Sequence, residues 1–207
     1  GWSIPVSNPD AAMRLVQFIG KAGLDREMGV AVDFSGESPK YSLVVGNWDQ
    51  ISHPDNKNVY LPIHSHTKFY LNQRGKVMGV QDTMVTAVGK EIKRSATVLP
   101  SDADLGYMGE FAKDLAKRGK DVPPIFDAAR KTLKGWVQHP YGIAEIRMQV
   151  DGIGNVIHVQ VDYGFYDPKH VDTTHGERAK ALQVWLGKKF PMAKAEFKNI
   201  EISGLEQ

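Results

Sequence analysis

The chain has 207 residues, of which 42% are hydrophobic and 24% are charged, and its formal net charge is +2. This composition is typical of a globular protein, and the length suits one large domain or a domain with an appendage. The charge is spread almost evenly over the two halves, so bulk charge does not favour binding to nucleic acid or to a membrane surface. There are no cysteines, which excludes disulfides, cysteine-ligated zinc and a cysteine nucleophile.

Targeting signals are also absent from the sequence as given. No apolar run approaches the ~20 residues that a membrane helix needs, and no signal peptide is visible at the start. The chain begins with Gly1 and not with Met, so we expect a domain of a longer protein. We expect it to be soluble, either cytoplasmic or delivered as part of a secreted effector, with no membrane or nucleic-acid partner. The sequence leaves its oligomeric state open.

The first third of the chain predicts one helix followed by three strands. Asn8 and Pro9 have the pattern of an N-cap and a first helical position, and Gly20 and Gly23 are expected to end the helix. Its apolar stripe is formed by Met13, Leu15, Val16 and Ile19. Strands are predicted over 27–32, 40–46 and 59–63.

Residues 67–100 predict a small β-structure, in which a turn rich in polar residues separates two apolar runs and makes a hairpin. The predicted strand segments lie at 69–71, 77–80, 84–88 and 96–99. A helix is then expected from Ser101 to about Arg118, closed by Gly119.

The rest of the chain predicts two further helices and three strands. The helices are expected over 125–136 and 177–186, and the strands over 143–150, 156–163 and 195–203. The two strands around the turn 151–155 form a hairpin. This order of elements predicts an α/β fold with α+β tendency, in which helices flank a mixed, mainly antiparallel sheet.

The segment His64-Ser65-His66 ends the predicted strand 59–63. Residues two apart in a strand point the same way, about 6–7 Å apart at Cα, so these two imidazoles can converge on one metal ion. Seven histidines in the chain make a chance His-x-His pair a plausible alternative. The position at the end of an apolar strand is what indicates a site.

Ser101 and Asp104 open the helix 101–118. One interpretation is a capping box, worth about 1 kcal/mol of helix stability. However, Asp104 falls within the apolar arc of the helix, whereas Asp102 points away from it. A carboxylate aimed at a core is costly unless it is paired or bound to a metal. Asp104 is therefore a candidate third ligand, and three protein ligands with one open position are typical of catalytic zinc.

Glu27 stands directly before the strand 27–32. Its simplest interpretation is a solvated side chain, and its functional interpretation is the general base that activates water. Glu37 competes for this role, but it lies in a turn, where a side chain is less preorganised.

Together, Glu27, His64-Ser65-His66 and Ser101-x-x-Asp104 resemble the motif of the JAMM (MPN-type) zinc metalloproteases, and of bacterial toxin or effector modules with a JAMM-like core. The resemblance covers about residues 10–118. It implies a cytidine-deaminase-like core in which His64, His66 and Asp104 bind Zn²⁺, Glu27 activates water and Ser101 helps to stabilise the oxyanion. Two features depart from the family, namely the long segment 67–100 in place of a short spacer, and Thr67 where proline is usual.

From these observations we predict a zinc-dependent hydrolase of peptide or isopeptide bonds, with a protein or peptide substrate. Residues 1–140 would form the JAMM-like core, with 67–100 as a hairpin insertion that costs little loop entropy, and 141–207 would extend the same domain. Two alternatives remain, a non-catalytic binding module of the same fold and a metal-dependent nuclease acting as a toxin. Zinc-type nucleobase deamination is disfavoured, because the Pro-Cys-x-x-Cys ligands are absent.

Overall fold

The computed structural model describes residues 2–6, 8–22, 26–46, 51, 56–66, 69–71, 77–80, 83–85, 91–93, 98–118, 121–166 and 175–202. The helices within these ranges are α1 (Pro9–Ala22), α2 (Asp102–Arg118) and α3 (His175–Lys189). The strands are β1 (Trp2–Val6), β2 (Met28–Asp33), β3 (Lys40–Val45), β4 (Val59–Ser65), β5 (Phe69–Leu71), β6 (Val77–Val80), β7 (Thr83–Val85), β8 (Glu91–Lys93), β9 (Phe126–Asp127), β10 (Thr132–His139), β11 (Gly142–Val150), β12 (Val156–Phe165) and β13 (Lys194–Asn199).

One large sheet organises the molecule. Its strand order is β1-β3-β2-β4-β10-β11-β12-β13, and β9 pairs with β10 beside it. The pairings of β4 with β10 and of β12 with β13 are parallel, and the other described pairings are antiparallel. The prediction of a mixed, mainly antiparallel sheet with flanking helices is thus confirmed. The more specific JAMM-like, cytidine-deaminase-like core stays a prediction.

Helices cover this sheet on both faces. Neighbouring residues of a strand point to opposite faces, and β10 shows the division. Trp136 packs with Ile63 and with Val16 of α1. Val137 belongs instead to the main core, together with Leu105 of α2 and Leu186 of α3. We call the two sides the α1 face and the α2 face.

Helix α1 begins as predicted and ends at Ala22, directly before Gly23. The Asn8 side chain caps it, since Asn8 Oδ1 accepts hydrogen bonds from the backbone N–H groups of Asp10 and Ala11, at 2.9 and 3.4 Å. Gly20 does not end the helix. It is a close-approach position, because a Cβ there would lie 2.2 Å from the Cγ of Gln138. The predicted apolar stripe is wrong at Leu15, which is 42% exposed; Gly23 lies outside the described residues.

The predicted helix over 125–136 is wrong, because this stretch forms β9, a turn and the first part of β10. Asp127 Oδ1 accepts hydrogen bonds from the N–H groups of Ala129 and Arg130, at 3.0 and 3.2 Å, and so stabilises the turn. Lys131 then adopts a positive φ of 49°. Beyond the turn, burial alternates from Thr132 to Val137, as a period of two requires.

Strand β1 was not predicted. It pairs antiparallel with β3 at one edge of the sheet. Pro5 lies within it and argued against a strand in the sequence, because proline lacks the N–H that a central strand must donate. An edge strand such as β1 tolerates proline.

The segment between His66 and α2 forms a second sheet of four antiparallel strands in the order β5-β6-β7-β8. The predicted hairpin of 69–71 with 77–80 is confirmed. The strand predicted over 84–88 is present up to Val85, and its remainder lies outside the described residues, as do Thr67 and Gly119. Val98 and Leu99 are buried but are not in a strand.

The C-terminal elements are close to the prediction. Strands β11 and β12 form the predicted hairpin. Helix α3 is longer than predicted at both ends, and β13 ends at Asn199 rather than at Ser203.

Candidate metal centre

Strand β4 lies in the middle of the sheet, between β2 and β10, and carries the histidine pair at its C-terminal end. His64 is opposite Gly29 of β2 and Val137 of β10. His66 follows the strand, and its backbone N–H donates a hydrogen bond of 2.6 Å to the carbonyl of Gln138. Because Val137 points to the α2 face, the paired His64 does so too, and His66 follows two residues later.

The first turn of α2 brings Asp104 to the same place. The backbone N–H of Asp104 donates to Ser101 Oγ at 3.1 Å, and the backbone N–H of Ser101 donates to Asp104 Oδ2 at 2.9 Å. This is the reciprocal pattern of a capping box. Asp104 is nevertheless buried, at 9% exposure, whereas Asp102 is exposed. The capping interpretation and the inward-facing interpretation both hold, because one carboxylate satisfies both.

The three predicted ligands face one another closely. His64 Nε2 lies 3.1 Å from Asp104 Oδ1, and His66 Nε2 lies 3.3 Å from Asp104 Oδ2. The two Nε2 atoms are 3.2 Å apart. Such a group of two imidazoles and one carboxylate could hold a metal ion.

The electrostatics of this cluster favour a bound positive charge. Burial opposes charge on His66, but the hydrogen bond to Asp104 and the negative charges of Asp104 and Glu27 raise the pKa of this imidazole above its usual value. Burial also opposes charge on Asp104, yet the charges and hydrogen bonds of His64 and His66 lower the pKa of that carboxyl well below its usual range. In the metal-free protein a proton therefore supplies the positive charge that a metal cation would otherwise supply.

Glu27 lies beside the cluster. The antiparallel register pairs Gly29 with His64, and continuing it by two residues puts Glu27 opposite His66 on the same face. The side chain is buried, at 8% exposure, and its charge contributes to the raised pKa of His66. The competing Glu37 is exposed and follows the far end of β2.

Ser101 is the most accessible member of the set. It is exposed, and its hydroxyl oxygen accepts a hydrogen bond from the N–H of Asp104. A hydroxyl that accepts through a lone pair can still donate its own proton. Ser101 can therefore donate a hydrogen bond to a group that approaches the cluster from solvent.

Sequence reasoning missed three buried polar residues that support the site. Ser65 points to the α1 face, and its hydroxyl accepts a 3.0 Å hydrogen bond from the N–H of Met28, which ties β4 to the residue after Glu27. Gln138 is completely buried, and its side-chain amide donates to the carbonyls of His139 and Gly142.

His139 is the third of these residues and is also completely buried. Burial, and then the charge of His66, lower its pKa well below the usual value, and its Nδ1 accepts the N–H of Tyr141 at 3.1 Å. The sequence does contain a signal for Gln138 and His139. These two polar residues follow the apolar residues Trp136 and Val137, much as His64 and His66 follow the apolar run of β4. Using it required knowing that β4 and β10 are parallel neighbours.

Comparison of the chain with family models, with curated proteins and with solved structures found no match. None of the three described helices has the length and apolar character that crossing a membrane requires. The chemistry of this centre must therefore be inferred from its own residues.

Proposed function

We propose that this protein is a zinc-dependent hydrolase of peptide or isopeptide bonds. The observation that carries the proposal is the convergence of His64, His66 and Asp104, whose candidate ligand atoms all lie within 4.8 Å of one another, next to the buried carboxylate of Glu27. The order of these residues and their resemblance to the JAMM motif support it further.

The donor set fits zinc better than it fits the common hard cations. Magnesium and calcium prefer oxygen ligands, whereas two imidazole nitrogens and one carboxylate suit Zn²⁺. In a tetrahedral site with bonds of ~2.0–2.1 Å, ligand atoms lie about 3.3–3.4 Å apart. The two Nε2 atoms are 3.2 Å apart, close to that value. Each of them lies 3.1–3.3 Å from a different oxygen of Asp104, so a monodentate Asp104 would turn one oxygen toward both imidazoles to bind a shared ion. Three protein ligands leave one position for water or substrate.

Each of the remaining residues has a defined part in the reaction. Bound zinc would supply Lewis-acid polarisation of the scissile carbonyl and would acidify water. Glu27 accepts a proton as the water oxygen bonds to the carbonyl carbon, and it returns that proton to the amine nitrogen as the carbon–nitrogen bond breaks. Ser101 donates a hydrogen bond to the oxygen on which negative charge develops, a role worth about 3–4 kcal/mol in favourable cases.

Metal content tests the ligand set directly. We expect the purified chain to contain one zinc ion per molecule by elemental analysis, and His66→Ala to contain none. His158→Ala is the matched control, because His158 pairs with Glu196 on the other face of the sheet. Equal zinc content in wild type and His66→Ala would refute the ligand assignment.

Cleavage of a peptide library that contains both α-linked and lysine-linked amides, followed by mass spectrometry, tests the chemistry. Glu27→Gln should keep zinc and lose at least 100-fold in rate, since general bases contribute about 10²–10⁴. Glu37→Gln should retain the wild-type rate. If the zinc-loaded wild type cleaves no amide, the hydrolase proposal is wrong and the binding-module alternative is favoured. If it cleaves nucleic acid instead, the nuclease alternative is favoured.

A further inference from the structure

The α1 face of the sheet is polar beyond β10. Helix α1 packs on β2, β3, β4 and β10, and no other helix in the described ranges packs on this face. Leu133, Ile146 and Val159 of the neighbouring strands point into the main core, so the residues that alternate with them point the opposite way. On this face lie Thr132 and Lys134 of β10, Glu145, Arg147 and Gln149 of β11, His158, Gln160 and Asp162 of β12, and Lys194, Glu196 and Lys198 of β13.

An open cavity of about 740 Å³ lies over this polar floor. The turn region from Pro124 to Arg130 borders one side, and Lys198 and Ile200 border the other. We call it the polar trough. It is on the face of the sheet opposite to the candidate metal centre, and its volume is that of sites that bind small molecules or short segments of chain.

The trough has a surplus of positive charge. Its lining includes four lysine or arginine residues and two aspartates. The guanidinium of Arg147 is already neutralised, because it donates a 2.7 Å hydrogen bond to Asp162 and its Nε lies 3.3 Å from Glu145 Oε1. By contrast, no carboxylate in the described part of the chain pairs with Lys134 or with Lys198.

The two lysines are spaced for an extended peptide. They lie on strands β10 and β13, three inter-strand steps apart, and they are offset by two residues in register. With ~4.8 Å per step and ~3.3 Å per residue, their Cα atoms are about 16 Å apart. An extended peptide places residues i and i+4 on the same side, about 13 Å apart. Two acidic side chains at that spacing are within reach of both ammonium groups.

We propose that the polar trough binds an extended acidic segment of a partner protein, in which two carboxylates four residues apart pair with Lys134 and Lys198. Gln160 lies between them on β12, in the same register row as Lys134. Its side-chain amide donates one hydrogen bond to Asp162 Oδ1 at 2.7 Å, and its second N–H can donate to a carbonyl of the peptide backbone. None of the described residues that line the trough is phenylalanine, tyrosine or tryptophan, so these residues do not form the stacking platform of single-strand nucleic-acid sites. The weak net charge of the chain also differs from that of duplex-binding proteins.

Fluorescence anisotropy tests this proposal on the whole chain. The probe is a labelled ten-residue Ser/Thr/Gly peptide with glutamates at positions 4 and 8, and its control has glutamine at both. We expect wild type to bind the glutamate peptide at least tenfold more tightly than the glutamine peptide, and more weakly as salt rises. Lys134→Glu with Lys198→Glu should reduce the affinity at least tenfold.

The matched control is Lys180→Glu with Lys188→Glu, which makes the same change of charge on the exposed surface of α3. It should change the affinity less than twofold. If both double variants lose affinity equally, binding depends on the net charge of the chain and not on the trough, and the proposal is wrong. Equal binding of the two peptides would also overturn it. Tighter, lysine-dependent binding of a single-stranded oligonucleotide would reassign the trough to nucleic acid.

Two further measurements keep the outcome interpretable. Thermal melts establish whether the glutamate variants are folded, and the milder pair Lys134→Gln with Lys198→Gln should give an intermediate loss of affinity. His66→Ala should bind the peptide as wild type does, because the metal centre is on the other face. Failure of the hydrolase proposal would therefore leave the trough untouched, and the reverse also holds.

Discussion

Asp104 combines two roles within one carboxylate. Its Oδ2 accepts the N–H of Ser101 at the start of α2, and its two oxygens face His64 and His66. A helix N-terminus favours a negative charge, so the backbone itself helps to hold this buried carboxylate ionised. The start of the helix therefore acts together with the two imidazoles, whose charges and hydrogen bonds lower the pKa of this carboxyl.

The pH dependence of stability follows from this cluster in the metal-free protein. The pKa of His66 is raised, so its stabilising contribution is complete below its usual value, 6.5, and is lost as pH rises through the folded value. The pKa of Asp104 is lowered, so its contribution is present above its usual value, 3.8, and is lost as pH falls through the folded value. The cluster thus stabilises the chain most between these two usual values.

We expect urea unfolding in the presence of a chelator to show a free energy that declines above about pH 6.5. His66→Ala should flatten this decline, because it removes the group that releases the proton. His158→Ala should preserve it. An identical alkaline slope in His66→Ala and wild type would contradict the assignment. Zinc affinity should change in the opposite sense and rise with pH, because the metal displaces that proton.

Ser101 is expected to affect both helix stability and catalysis, and two substitutions separate the effects. Ser101→Ala removes the cap and should lower the free energy of unfolding by about 1 kcal/mol. It should also lower the cleavage rate by about 10²–10³, as the loss of an oxyanion donor does. Ser101→Asp keeps a capping acceptor but has no hydroxyl proton, so it should retain stability and lose the rate. If Ser101→Asp cleaves as fast as wild type, Ser101 serves only as a cap.

At the scale of elements, the site lies at one end of the central strands of the sheet. The parallel neighbours β4 and β10 both end there, and the antiparallel strand β2 begins there, directly after Glu27. The start of α2 lies against the same end through Asp104. Three segments that are distant in sequence therefore bring His64, His66, Glu27 and Asp104 to one place.

The position of α2 depends on its contact with the end of α3. A Cβ on Gly109 would lie 2.2 Å from the Cζ of Phe190, which is buried. Alanine normally stabilises a helix interior relative to glycine. We nevertheless expect Gly109→Ala to destabilise the protein by about 1–3 kcal/mol, because this core position is already full. Urea denaturation measures the change.

Gly187 provides the control for this prediction. It lies in α3, and a Cβ there would meet nothing within 4 Å. Gly187→Ala should therefore stabilise the chain by about 0.5 kcal/mol through helix propensity alone. If both substitutions stabilised the protein, the contact between Gly109 and Phe190 would not limit the approach of the two helices.

At the scale of the whole molecule, the second sheet lies in the sequence between His66 and Asp104, and these two flanking residues are in contact. Strands β5 to β8 pair only with one another among the described strands. The free-energy cost of closing a loop changes slowly with its length. A long insertion at this point is therefore compatible with an intact ligand cluster.

We expect replacement of residues 69–96 by an eight-residue Gly/Ser linker to leave a folded protein that binds one zinc ion. The free energy of unfolding should change by about 1 kcal/mol or less if loop entropy alone is involved. Elemental analysis and urea denaturation test this, and the same excision combined with His66→Ala should bind no zinc. Loss of folding or of zinc in the excised chain would show that the insertion is part of the core.

Local patterns in the sequence were sufficient for most individual elements. The cap at Asn8, the amphipathic helix after Ser101 and the hairpin around Asp151 each depend on residues within a few positions of one another. The inward direction of Asp104 could also be predicted, because the spacing of apolar residues along a helix defines its buried face. Sequence order and spacing were likewise enough to propose His64 and His66 as a pair.

Only the tertiary structure decided which distant segments meet. Residues 132–136 form a strand because β11 pairs with all of them, while β9 pairs with the first two and β4 with Trp136 on the other side, and that pairing outweighs local propensity. The parallel alignment of β4 with β10 places Gln138 and His139 next to the histidine pair on the neighbouring strand. The same alignment leaves one half of the α1 face free for the polar trough. Long-range pairing of strands depends on contacts between residues far apart in the chain, and no local pattern encodes them.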